Sequence, residues 1–100
     1  MMATKIMIPT PLRAYTEKKD SVLLEGRTVG ELLAQLTSNY SALRKHLYSD
    51  DGNLRSFVNV YVNDEDIRHL QKEQTVVTDK DIVSIIPSIA GGGSYTYGEI

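Results

Sequence analysis

Cysteine is absent from this 100-residue chain. Disulfides, thiolate metal sites and a thiol nucleophile are excluded together, so any sulfur chemistry must be held on some other group. Tryptophan is absent and Phe57 is the single phenylalanine, which leaves tyrosines and aliphatic residues to supply the bulk of a core. Basic charge is not concentrated. The longest basic runs are the pairs Lys18-Lys19 and Arg44-Lys45, and the formal net charge is -2. A nucleic-acid surface needs a clustered basic stripe, and none is present. No apolar run approaches the roughly 20 residues that span a bilayer. Met1 to Thr10 lacks a secretory apolar segment, and the expected compartment is the cytoplasm.

Motifs of catalysis are missing as well. His46 and His69 stand alone, without a second ligand at zinc spacing. Asp64-Glu65-Asp66 lacks the loop pattern of a calcium site and reads as a solvated turn, as does Asp50-Asp51. No Ser/His/Asp arrangement and no paired-carboxylate constellation occurs. Gly91 to Gly93 is not a phosphate loop, because no Lys-Ser/Thr and no helix follow. Neither a metal nor a bound cofactor is expected. One domain of this length forms a core but has little room for a separate catalytic pocket.

What is present is a patterned globular sequence. Thr4 to Ile8 is a short apolar run stopped by Pro9 and predicts a first strand. Pro9 and Pro11 impose an extended or turning connection, and residues 15–20 read as a polar surface loop. Ser21 to Leu24 predicts a second strand, punctuated by Gly26. Thr28-Val29-Gly30-Glu31 is a capping box, with Glu31 expected to reach back to the Thr28 amide. Val29, Leu32, Leu33 and Leu36 recur at helical spacing behind it. The helix is expected to fade near Ser38-Asn39, with a short helical piece over Ala42 to Leu47.

Asp50 to Asn53 is a turn. Phe57 to Val62 gives the strongest strand signal, with Val58, Val60 and Val62 on one face and Phe57, Asn59 and Tyr61 on the other. A turn at residues 63–66, a weak strand over Ile67 to Leu70 and a polar crossover over Gln71 to Asp79 follow. Asp81 to Ile86 is the last strand, with Val83 and Ile85 toward the core and Ile82, Ser84 and Ile86 away from it. Two strands, a crossover helix and then further strands make a mixed sheet with one main helix on one face. That is a β-grasp arrangement of the α+β class. The domain is expected over residues 1–87, with residues 88–100 as a flexible C-terminal tail.

The tail holds the chemical signal. The last strand runs straight into Ser88-Ile89-Ala90-Gly91-Gly92-Gly93. Glycine has the largest ordering penalty of any residue, so such a segment is a linker or a thread that enters a narrow place. From Ser88 to Gly93 its reach is roughly 20 Å, enough to deliver a terminal group into another protein's active site.

In these features the chain resembles the ThiS/MoaD-type sulfur carriers, and among them the carriers of cysteine biosynthesis of the CysO kind. The resemblance covers roughly Lys5 to Gly92. It rests on Ile8-Pro9-Thr10-Pro11-Leu12-Arg13, Asn39-Tyr40-Ser41, Phe57 through Arg68, and Ile86-Pro87-Ser88-Ile89-Ala90-Gly91-Gly92. Carriers of this type end in Gly-Gly, whereas here Gly93-Ser94-Tyr95-Thr96-Tyr97-Gly98-Glu99-Ile100 follows. The resemblance therefore implies a precursor, trimmed by a JAMM-type zinc protease to release Gly92, with Gly93 as the alternative end. It further implies that an E1-like enzyme adenylates that terminus with ATP. A sulfur donor then makes a thiocarboxylate, and a biosynthetic enzyme, possibly pyridoxal-phosphate-dependent, accepts the sulfur.

On this reading the protein is not an enzyme. Ala90, Gly91 and Gly92 are the thread, and Phe57, Tyr61 and Ile86, on the sheet surface away from the helix, are the expected docking patch. A modifier joined to substrate lysines needs the same terminus. A plain β-grasp interaction module would keep its function without Gly91 to Ile100.

Overall fold

Alternating burial along short strands builds one sheet, and the computed structural model describes residues 3–87 of it and its helices. The strands are β1 (Ala3–Met7), β2 (Ser21–Glu25), β3 (Val58–Val62), β4 (Glu65–Asp66) and β5 (Ile82–Pro87), in the order β2-β1-β5-β3-β4. β1 and β5 run parallel at the centre, and every other neighbour is antiparallel. In β3 the valines Val58, Val60 and Val62 are buried while Asn59 and Tyr61 are half-exposed. In β5, Val83 and Ile85 face the core, and Ile82 and Ile86 lie on the other side.

Helix α1 (Val29–Asn39) covers the inner face. Val29, Leu32, Leu33 and Leu36 are fully buried in one cluster with Ile6, Val60, Val83 and Ile85. This is the apolar stripe of an amphipathic helix closing over the β-sheet. The hydroxyl of Thr37 is satisfied by the carbonyls of Leu33 and Ala34, at 3.0 and 3.2 Å. Thr28 caps the helix by accepting from the Glu31 amide at 3.2 Å. The return bond differs from expectation. With Thr28 extended and bridged to Val76, the amide that Glu31 reaches is that of Arg27, at 2.8 Å.

Two further segments depart from their sequence patterns. Ile67 to Leu70 is not a strand. The last strand pairing before it is at Glu65–Asp66, and Ile67–His69 forms a 3-10 turn. The cause is local. Asn63, with φ of 57°, closes a tight turn that sets Val62 opposite Glu65. The Asp66 carboxylate then accepts from the Arg68 amide at 2.9 Å and bends the chain. Residues Thr10–Tyr15 form a 3-10 helix, where the fixed φ of Pro11 suits the first turn. The expected piece near 42–47 appears as a 3-10 turn, Ser41–Leu43, leading into α2 (Arg44–Leu47).

Candidate functional site

The outer face of the sheet follows from strand alternation. Leu23 of β2, Lys5 of β1 and Ile82 of β5 stand side by side in one row. Ser21, Met7, Ser84, Tyr61 and Asp66 make the next row, across all five strands. Ile86 opposite Asn59 ends the series. Leu23, Ile82 and Ile86 are 66%, 42% and 47% exposed, so this face presents aliphatic surface to solvent. Exposed apolar surface gathered on one face is characteristic of partner sites.

β5 extends past its parallel neighbour. Its pairing with β1 ends at Met7–Ser84, while its pairing with β3 continues to Pro87 opposite Val58. The described part of this central strand thus ends at Pro87, next to Ile86. The other end of β5 is pinned. Asn63 donates through Nδ2 to the Asp81 carboxylate at 3.1 Å and accepts from the Ile82 amide at 3.1 Å. The Thr78 amide donates to the same carboxylate at 2.9 Å. These bonds, first that from Asn63 and then that from Thr78, hold the Asp81 carboxyl below the usual carboxylate range. The Thr4 hydroxyl donates to the Thr78 carbonyl at 2.9 Å, which ties this loop to β1.

Of the expected docking residues, the structure sets Tyr61 and Ile86 on the outer face, on adjacent strands. Phe57 lies in the turn from Arg55 to Val58, half-buried and packed against the core cluster. Ala90, Gly91, Gly92, Gly93 and the segment Ser94, Tyr95, Thr96, Tyr97, Gly98, Glu99 and Ile100 lie outside the described residues. Leu23 and Ile82 were not among the docking residues expected from sequence. Their signal was the period of two: Leu23 alternates with Val22 and Leu24, as Ile82 does with Val83. His46 is buried and stacks on Tyr15 with ring centroids 4.3 Å apart, while His69 is exposed at the end of a 3-10 turn. The outer face offers apolar contact, Lys5, the hydroxyls of Ser21, Ser84 and Tyr61, and the Asp66 carboxylate.

The family model for ThiS matches residues 6–92. The chain belongs to the ThiS family. The match begins in β1 and ends at Gly92. The sulfur carrier protein CysO of Mycobacterium tuberculosis is 42% identical over 93 residues, which cover 91% of this chain and 100% of that protein. A chain of the Amycolatopsis orientalis BexX/CysO complex superposes with a TM-score of 0.80 at 38% identity, covering 90% of this chain and 100% of that one. Small archaeal modifier protein 3 of Haloferax volcanii is 38% identical over 65 residues, which cover 65% of this chain and 70% of that protein. The ThiS-family chain is thus a β-grasp homologue of sulfur carriers, small proteins that act as carriers rather than catalysts.

Proposed function

We propose that this sulfur carrier works through the carboxyl group of Gly92, set free by hydrolysis of the Gly92–Gly93 bond and loaded as a thiocarboxylate for cysteine biosynthesis. The observation that carries the reading is the family match running to Gly92 and stopping there, with eight residues beyond it. The exposed apolar face beside the end of β5 adds to it.

A carboxylate is a poor acyl donor, because its leaving group would be oxide. Attack of the Gly92 carboxylate on the α-phosphorus of ATP, in an E1-like partner, releases pyrophosphate and gives an acyl adenylate. Hydrosulfide then adds to the acyl carbon and AMP departs with the bonding pair, leaving the thiocarboxylate. With a persulfide donor, a second thiol reduces the intermediate acyl disulfide. The chain contributes no acid, base or metal to these steps. Gly91 and Gly92 let a partner's backbone close tightly around the thread, because no Cβ stands in the way. Tyr61 and Ile86, with Leu23 and Ile82, supply apolar contact to the partner. The zinc of the trimming JAMM-type protease, the ATP and the pyridoxal phosphate of the accepting enzyme all belong to partners.

The test is ATP–pyrophosphate exchange with the adenylating enzyme of the same cell. Protein ending at Gly92 should support exchange, and the intact 100-residue chain should not. Exchange by the intact chain would refute the reading, and exchange only by protein ending at Gly93 would move the cut by one residue. A second reading, conjugation to lysines, is favoured by the likeness to small archaeal modifier protein 3. Isopeptide-linked adducts in cell lysate, without thiocarboxylate, would decide for it.

A further inference from the structure

A different edge of the molecule carries a site that the tail chemistry does not use. β4 is two residues long and pairs only with Tyr61 and Val62. Among the described residues, Val58, Asn59 and Val60 therefore have β5 on one side and no strand on the other. The phase of the ladder decides which backbone groups point outward. The Asn63 amide donates to the Ile82 carbonyl at 2.7 Å, and bonded pairs alternate along an antiparallel ladder. Asn59 and Tyr61 thus exchange bonds with β5, and Val58 and Val60 turn theirs to the open side. Pro87 opposite Val58 agrees, since proline has no N–H to give. The Val58 amide is used in a turn, donating to the Arg55 carbonyl at 3.0 Å. The Val58 carbonyl and the Val60 amide are left facing outward.

A cleft of about 400 Å³ lies along this edge. Val58, Val60 and Ile67 contribute apolar lining, and Arg55, Arg68 and Lys72 bring three cations to it. Among the described residues, Glu73 is the one carboxylate in the lining. Asp66 offsets Arg68 in part, at 3.5 Å, and the Arg55 Nε donates to the Lys45 carbonyl at 2.8 Å. The cleft remains net positive. The sheet's other open edge, at β2, is less suited to an anion: Lys19 beside it already meets Glu17 at 3.6 Å and the Tyr40 hydroxyl at 3.2 Å.

We propose that the open edge of β3 receives a short extended segment of a partner protein, aliphatic at its centre and flanked by carboxylates. Strand addition of this kind takes its affinity from main-chain bonds and its selectivity from neighbouring pockets. One residue of the segment donates its N–H to the Val58 carbonyl and accepts from the Val60 amide. Its aliphatic neighbour fills the space above Val58, Val60 and Ile67. Flanking carboxylates meet Arg55, Arg68 and Lys72, where guanidinium–carboxylate bonds are strong and directional. The site lies along the edge of β3 and not on the outer sheet face. The inference stands whether or not the Gly92 reading does.

The test uses the ¹⁵N-labelled full chain and two blocked peptides, Glu-Glu-Val-Ile-Val-Glu-Glu and Lys-Lys-Val-Ile-Val-Lys-Lys. The acidic peptide should shift the amides of Arg55, Val58, Asn59, Val60 and Ile67 saturably and slow hydrogen exchange at Val60. The basic peptide should do neither. Arg68→Glu combined with Lys72→Glu should weaken the acidic peptide about tenfold, with unchanged amide positions in β1 and β2 reporting an intact fold. No saturable shift, an equal response to the basic peptide, or shifts confined to β2 would each overturn the proposal. If the double variant misfolds, the contrast between the two peptides on the unaltered chain decides alone.

Discussion

His46 shows how a single side chain couples this core to pH. It is buried in α2 against Tyr15. Burial, and after it the like charges of Lys45 and Arg55, hold its pKa below the ordinary histidine value of 6.5. The unfolded chain therefore takes up this proton at a higher pH than the folded one does. Stability rises with pH wherever the unfolded state binds more protons. It should thus be lost as pH falls below 6.5 toward the folded pKa of His46. His46→Phe keeps a ring against Tyr15 and should flatten the urea-midpoint profile over that window. An unchanged slope would assign the dependence to other groups. Asp81 acts lower on the scale. Its carboxyl, held below 3.8 by Asn63 and Thr78, gives stability that is present above 3.8 and lost as pH falls through its folded value. The sequence read His46 as a surface or boundary residue; its burial depends on Tyr15, 31 positions earlier, which the local pattern does not show. Ile86 was readable by alternation alone. Phe57 was not, because the turn from Arg55 ends the alternation before reaching it.

The elements that could be read were those whose cause is local. The capping residues Thr28 and Glu31 and the leucines behind them mark α1 in the sequence; the Thr28 cap is made as expected, while Glu31 reaches the Arg27 amide rather than that of Thr28. Thr28→Ala should cost about 1 kcal/mol in chemical denaturation. Leu36→Ala, which opens a void under the helix, should cost about 2–5 kcal/mol. If the cap substitution cost as much as the core one, α1 would be held by its end rather than by its buried face. Ile67 to Leu70 failed as a strand for the converse reason. Ile67 and Leu70 look like an apolar pair, yet only Ile67 is buried. The Asp66 cap bends the chain before a ladder can extend past it. That early stop is also what opens β3, so the misread segment and the proposed edge site share one cause.

At the scale of the whole molecule, topology was readable because two strands, a crossover helix and a final strand ending in Pro87 leave few arrangements. The order β2-β1-β5-β3-β4 puts the last strand at the centre, with exposed Ile86 next to its last described residue, Pro87. Ile86→Glu leaves the core untouched and, on the proposed docking role of this face, should raise the KM for the carrier in adenylation far more than it lowers kcat. The account as a whole rests on Gly92 becoming a terminus that carries sulfur. The most direct measurement is the intact mass of the protein isolated from its own cell during sulfur transfer. The account predicts a chain ending at Gly92 in which one oxygen has been exchanged for sulfur. An active protein that retains Gly93 to Ile100 and contains no added sulfur would contradict it.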